Sequence, residues 1–188
     1  MSAVAERDTG DAVPLDPPPS LRPAVAADAL SIAVLGQQVF LDTYATDGIR
    51  PEIAREVRSL FDLDVVSALL AAPSTRCVVA ERTGHLIGFA QCATDDTHTH
   101  VRADRPIKLN RLYVQERFSG TGVGTVLLAR VESLARLEGS DALWLTTWVG
   151  NARALAFYPR RGYVDVGKTL YVFEDEAHEN RVFAKALR

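Results

Sequence analysis

Residues 107–138 read IKLNRLYVQERFSGTGVGTVLLARVESLARLE, a strand, a glycine loop and a helix in immediate succession. The helix is the clearest in the chain. Leu127, Leu128, Val131, Leu134 and Ala135 recur at i, i+1, i+4, i+7 and i+8, an apolar stripe of 3.6-residue period, and Gly139 stands where a helix can end. The strand, 107–114, carries one irregularity. Ile107 and Leu109 have one parity and Leu112 and Val114 the other, so a flat strand would put these pairs on opposite faces. One extra residue near Asn110 or Arg111, a β-bulge, returns both pairs to the core. Between strand and helix lies Ser119-Gly120-Thr121-Gly122-Val123-Gly124. Its glycines let successive N–H groups turn toward an anion, and the helix N-terminus adds partial positive charge, so a phosphate is the natural ligand. Spacing excludes two phosphate loops: Thr125 stands where G-x-G-x-x-G needs its last glycine, and no Gly-Lys-Ser/Thr follows. By itself the loop is equally well a plain turn that needs positive φ.

Working outward, the period is helical before residue 77 and two-residue after it. A short strand is expected at 21–26, helices at 27–44, from Pro51 (with Ile53, Val57 and Leu60 buried) and at 65–72. Cys77–Glu81 and Leu86–Cys92 read as a hairpin across Arg82-Thr83-Gly84-His85, and 95–105 as a polar loop. Downstream come a strand at 143–148, a short helix capped by Asn151 and running through Tyr158, and strands at 168–173 and 181–187. Strands alternating with helices on a mixed sheet give an α/β (α+β) single domain.

The chain has 188 residues, enough for one well-filled core, and a formal charge of −3. The charge has a location. Residues 1–20 hold Glu6, Asp8, Asp11 and Asp16 against Arg7, so the remaining 168 residues are neutral and carry no basic field for nucleic acid. With Pro14, Pro17, Pro18 and Pro19 and few large apolar groups, 1–20 is expected to be a disordered or loosely attached arm, and 21–188 the folded domain. No apolar run is long enough to span a membrane, and the basic, apolar start of a secretion signal is missing. Cys77 and Cys92 are therefore expected as free thiols in the cytoplasm, and no metal site is expected.

Three blocks standing in one order, Leu112-Tyr113-Val114, Ser119 to Gly124, and Asn151-Ala152-Arg153-Ala154-Leu155-Ala156-Phe157-Tyr158 followed by Gly162-Tyr163, resemble the GCN5-related N-acetyltransferase family. That family transfers acetyl from acetyl-CoA to amines. The resemblance is densest over 107–164. It implies a mostly antiparallel twisted sheet flanked by helices, with the bulged strand splayed from the next to leave a wedge for pantetheine. Its loop pattern, R/Q-x-x-G-x-G/A, falls on Ser119, Gly120, Thr121, Gly122, Val123 and Gly124; the glycines match and Ser119 replaces the usual Arg or Gln, a charge that Arg117 could supply. By the same resemblance the backbone of Leu112 and Val114, within Leu112-Tyr113-Val114, holds pantetheine, the amides of Gly120 to Thr125 hold the pyrophosphate, and Asn151 contacts the cofactor besides capping its helix. Val114 N–H would polarise the thioester carbonyl and Tyr158 would protonate the leaving sulfur, although Tyr158 is also a natural core aromatic beside Phe157. Pro159 disfavours helical geometry at Tyr158.

An alkylamine of pKa near 10.4 is neutral at pH 7 in about one molecule in 2,500, so the enzyme must give its proton an exit. Where many relatives carry Glu this chain has Lys108, leaving Asp95, Asp96, His98, His100, Glu116 or a water chain. The C-terminal stretch resembles bacterial polyamine acetyltransferases, and Glu174, Asp175 and Glu176, with Asp42 and Asp47 as a further acidic rim, would suit a polycation; a solvated turn is the plainer reading. Spermidine or spermine is the expected acceptor, against a protein N-terminus or lysine, or a non-catalytic acyl-CoA sensor. The family resemblance also suggests a homodimer.

Overall fold

Strand β2 (Thr75–Arg82) turns into β3 (His85–Ala93) through Thr83 and Gly84, whose φ angles of 50° and 78° form the left-handed pair of a two-residue hairpin turn. Around this hairpin grows a seven-stranded sheet of order β1-β2-β3-β4-β5-β7-β6, with β1 at Ser20–Pro23, β4 at Pro106–Val114, β5 at Ala142–Trp148, β6 at Val164–Phe173 and β7 at Glu176–Ala186. Every neighbouring pair is antiparallel except β4–β5. The structure, a computed structural model, describes residues 15–94, 96–173 and 176–187, with only the backbone at Phe173 and Glu176.

Helices cover both faces. On one face α4 (Val123–Leu137) lays Leu127, Leu128 and Val131 against Val78, Ala90, Cys92, Ile107, Leu109, Leu143 and Leu145. On the other, α1 (Ala29–Tyr44), α2 (Pro51–Leu60) and α3 (Leu63–Ala71) pack Ile32, Phe40, Ile53, Val57, Phe61 and Val66 on Val79 and Phe89. Consecutive Val78 and Val79 thus serve opposite cores, as a two-residue period requires. Pro51 begins α2, and the Asp62 carboxylate caps α3 by accepting from Asp64 N. The short α5 (Ala152–Phe157) is capped by Asn151, whose Oδ1 accepts from Ala154 N at 3.0 Å.

The thiols are separated by the register. Cys77 pairs with Gln91 and Cys92 with Arg76, so the two belong to opposite cores. Burial pushes each thiol up to about 12.

Three boundaries differ from the sequence-based expectation. The helix expected from residue 27 is a 3-10 turn over Ala26–Asp28 before α1 begins. β6 and β7 begin earlier than expected, so Glu179 and Asn180 also lie within a strand, opposite Leu170 and Thr169. A polar composition reads as a loop, but pairing satisfies the backbone while the side chains stay wet. The end of the expected arm lies on the domain: Leu15 packs on the first core, Arg82 Nη2 donates to Asp16 O at 2.8 Å, and Ser20 begins β1. Residues 1–14 lie outside the described residues.

A buried polar cluster ties α4 to the C-terminal strand. Glu132, 6% exposed, accepts Lys185 Nζ on both oxygens at 2.9 Å and the Tyr163 hydroxyl at 3.0 Å. Glu132→Ala strands both donors and is expected to lower the unfolding free energy by about 3 kcal/mol, read by urea denaturation. The double change Glu132→Leu, Lys185→Met is expected to recover most of that loss, because the two most shielded charges leave together and the more exposed Arg136 keeps water and the Leu187 carbonyl.

Candidate active site

The register of β3 against β4 steps from Gln91–Arg111 to Cys92–Leu109, which leaves Asn110 as the extra residue of a bulge. Ile107, Leu109, Leu112 and Val114 consequently share the α4 face, as their parity required, while Arg111 and Tyr113 go to the other. On its second edge β4 pairs with β5 only at Pro106–Ala142, Ile107–Leu143 and Lys108–Trp144. Beyond these three pairs the strands part, although β5 stays paired with β7 along Ala142–Trp148. A wedge opens between Leu109–Val114 and Leu145–Trp148.

Gln115 N donates to Ile87 O in β3 at 3.0 Å. By the alternation of an extended strand, the N–H and C=O of Tyr113 also face β3, and those of Leu112 and Val114 face the wedge. Of the three expected cofactor residues here, the structure turns Leu112 and Val114 to the gap and Tyr113 away. The Tyr113 ring lies on the opposite face, 5.5 Å from Phe89 and 6.0 Å from Phe61.

The glycine loop follows directly. Phe118 is buried and anchors it, and Thr121 donates its hydroxyl to Phe118 O at 2.7 Å. Gly120 and Gly122 take φ angles of 76° and 90°, which set Gly122 as the left-handed entry to α4. Among the described residues, the amides of Gly120, Gly122, Val123, Gly124 and Thr125 meet no protein acceptor, and a Cβ at Gly120 or Gly122 would meet no atom within 4 Å. Loop, strand and α5 meet at Gly124, where a Cβ would stand 3.9 Å from both Val114 and Phe157. Ser119 is not left without a cation. Arg153 on α5 forks both oxygens of Glu116 at 2.6 and 2.8 Å and donates to Ser119 Oγ at 2.9 Å. Arg161 Nη2 donates to Thr125 Oγ1 at 2.7 Å. Arg117, the substitute expected from sequence, stacks 4.6 Å over Phe118 instead. Five free amides, an open cradle and two arginines fit a pyrophosphate.

Tyr158 is buried on the same face, its ring 5.3 Å from Phe157, 5.6 Å from Tyr163 and 6.0 Å from Phe183. Burial raises its phenol well above the usual range, so it is protonated at neutral pH. Its φ and ψ of −65° and −43° are helical despite Pro159: α5 stops at Phe157, and Pro159–Arg161 continue as a 3-10 turn that needs no hydrogen bond from the proline nitrogen.

Two carboxylates considered as bases are held by cations. Asp96 accepts Lys108 Nζ at 2.6 Å, and Glu116 is forked by Arg153. Lys108 lies 4.9 Å over Trp144, and His98 stacks between Trp144 and His100 at the closed end of the wedge. Burial, His100 and Lys108 lower the pKa of His98. Asp95, Glu174 and Asp175 lie outside the described residues; Glu176 is described only as the first residue of β7.

On the far face a cluster that no local motif announces surrounds the wedge. Tyr44, at the end of α1, lies 4.7 Å from Phe40 and 5.9 Å from Trp148 of β5. Tyr171 of β6 reaches across to donate its hydroxyl to Glu56 of α2. Phe40 also meets Phe61, which meets Tyr113, so Trp148, Tyr44 and Tyr113 belong to one chain of aromatic contacts on this face. The only available signal was the aromatic character of these positions, and it reads equally well as core.

A model of the acetyltransferase (GNAT) family matches residues 41–163. An uncharacterised N-acetyltransferase of Lactobacillus delbrueckii subsp. lactis is 22% identical over 160 residues, 85% of this chain and 92% of its own. An IAA acetyltransferase of Azospirillum brasilense is 34% identical over 112 residues, 60% and 67% of the two chains. A spermine/spermidine N(1)-acetyltransferase of Bacillus subtilis (strain 168) is 28% identical over 81 residues, 43% and 53%. The solved PaiA N-acetyltransferase of Thermoplasma acidophilum, in complex with coenzyme A, shares the fold with a TM-score of 0.69 at 16% identity, covering 89% of this chain and 98% of its own. The splayed β4–β5 pair, the glycine loop entering α4 and the match over 41–163 agree: this chain belongs to the GNAT family of acetyl-CoA-dependent N-acetyltransferases.

Proposed function

We propose that this enzyme acetylates the primary amine of a small molecule by direct attack within a ternary complex. The observation that carries this reading is the wedge between β4 and β5, with the glycine loop on one face and the aromatic cleft on the other. Bound acetyl-CoA supplies an acetyl thioester. The free amides of the loop hold its pyrophosphate, with Arg153 and Arg161 beside them. Leu112 and Val114 offer their backbone groups to pantetheine, and the Val114 N–H polarises the carbonyl. Asn151 spends its oxygen on the α5 cap and keeps its amide nitrogen for the cofactor. Tyr158 donates its proton to the departing sulfur. With Asp96 and Glu116 held by cations, the proton of the amine leaves through water.

A small acceptor is favoured over a peptide because the Tyr171–Glu56 bond carries β6 over to α2 and closes that end of the cleft. The polyamine reading has the Bacillus subtilis relative and the acids at 174–176 in its support. The described part of the cleft is less acidic than a polycation needs, since its Glu56 already accepts the Tyr171 hydroxyl and Arg111 places a cation on the same face. No helix among the described residues is long and apolar enough to cross a membrane. The cytoplasm is part of the proposal, on the strength of two separated free thiols, Cys92 buried and Cys77 half-buried.

Thiol release from acetyl-CoA, followed across polyamines, aminoglycosides, amino acids and peptides, tests this function. Turnover on a small amine is expected. Tight acetyl-CoA binding with no turnover on any amine would point to a sensor instead. Tyr158→Phe is expected to lower kcat by about 100-fold or more. Because the phenol stays protonated from pH 6 to 9, the whole pH–rate profile should drop without shifting its limbs. Arg153→Ala removes a cation beside the loop; calorimetry should show coenzyme A binding weakened roughly tenfold, with a flatter salt dependence.

A further inference from the structure

Arg111 has no part in that scheme, and it differs from the arginines that sit in ion pairs. Arg22 lies between Asp28 and Glu81, Arg76 meets Glu138, Arg153 meets Glu116 and Arg181 meets Asp165. Arg111 meets no carboxylate among the described residues. Its guanidinium lies 5.0 Å over the Phe61 ring and Nη1 donates to the neutral Gln91 Oε1, while Nε and Nη2 have no protein acceptor. The groups that feel its charge are the thiol of Cys77 and the phenols of Tyr113 and Tyr171, and burial lowers its pKa. Arg111 is half-buried, and a partly shielded guanidinium with one side of its fork unpaired gains from an arriving anion.

Its position says where that partner comes from. Asn110 is the bulged residue, and the bulge turns Arg111, the next residue, to the face bearing Tyr113, Tyr171, Tyr44 and Trp148. That face is opposite the glycine loop and α4, so its ligand is the acceptor and not the phosphates of the donor. With Phe61 fixing the plane of the guanidinium and Nη1 committed to Gln91, the Nε–Nη2 side remains as a fork matched to a carboxylate.

We propose that Arg111 binds a carboxylate on the acceptor, so that the substrate class is a small amine that also carries a carboxylate, as amino acids do. This rests on the acetyl-transfer reading above and narrows it away from pure polycations. Arg111 acts here as a specificity residue: it fixes one end of the acceptor and leaves the amine to reach the wedge.

The test pairs leucine, phenylalanine, glutamate and lysine with their carboxamides, and adds spermidine. Each is titrated calorimetrically into protein saturated with coenzyme A, and each is assayed for thiol release from acetyl-CoA. The carboxylate member of at least one pair is expected to bind, and to turn over, roughly 10-fold to 100-fold better than its carboxamide. Arg111→Gln should bring that ratio toward one, and Arg111→Lys should keep part of it, having the charge without the fork. Circular dichroism establishes that both variants fold. Ratios near one throughout the wild-type panel, or spermidine outperforming every carboxylate, would overturn the proposal while leaving acetyl transfer intact. A ratio that Arg111→Gln leaves unchanged as all members weaken equally would also overturn it, since Arg111 would then serve packing alone. Carboxylate binding that depends on Arg111, with no thiol release on any amine, would uphold the site and reject the transferase reading.

Discussion

Three backbone pairs, Pro106 to Lys108 with Ala142 to Trp144, hold β4 to β5, and the rest of the site depends on their stopping there. A strand in mid-sheet ordinarily spends its polar groups on both neighbours. Here β4 remains fully engaged with β3, and β5 with β7, so each strand is held from its outer side while the inner edges separate. The freed N–H and C=O groups of Leu112 and Val114 cannot remain buried without partners, and an extended ligand with amides of its own is the natural complement. The wedge is therefore a rigid feature of the sheet.

The bulge at Asn110 gives the wedge two different sides. It restores Leu112 and Val114 to the α4 core, which brings the end of β4 against the glycine loop and Phe157. The same step sends Arg111 and Tyr113 to the face covered by α1 and α2. One extra residue thus separates a side rich in free amides and arginines from a side of phenols, an indole and a guanidinium.

Much of this was legible before any coordinates. The 3.6-residue stripe of α4, the parity slip in 107–114, the Asn151 cap and the loop glycines each have a local cause, and each lies where its pattern said. The failures also have local causes. The polar pair Glu179-Asn180 has a loop's composition, but its strand is paid for by pairing with β6. Pro159 ends α5 at Phe157, as its position implied, but Tyr158 keeps helical φ and ψ because a proline at the start of a 3-10 turn costs no hydrogen bond. Arg117 was the nearest cation to Ser119 in sequence; Arg153, 34 residues away, is the one in contact.

The sequence by itself determined the elements, the bulge and the loop, because periodicity, capping and positive φ are decided by near neighbours. It also determined the family, through three blocks in one order. Only the tertiary structure decided which cation stands beside the loop, which carboxylates are held by lysine or arginine, that Tyr113 turns its backbone from the wedge, and that Arg111 lies over Phe61 with no carboxylate partner among the described residues. Ion pairs and cleft linings join residues tens of positions apart, and local pattern carries no information about which charges meet. Only the packing of helices on two faces of a split sheet supplies it.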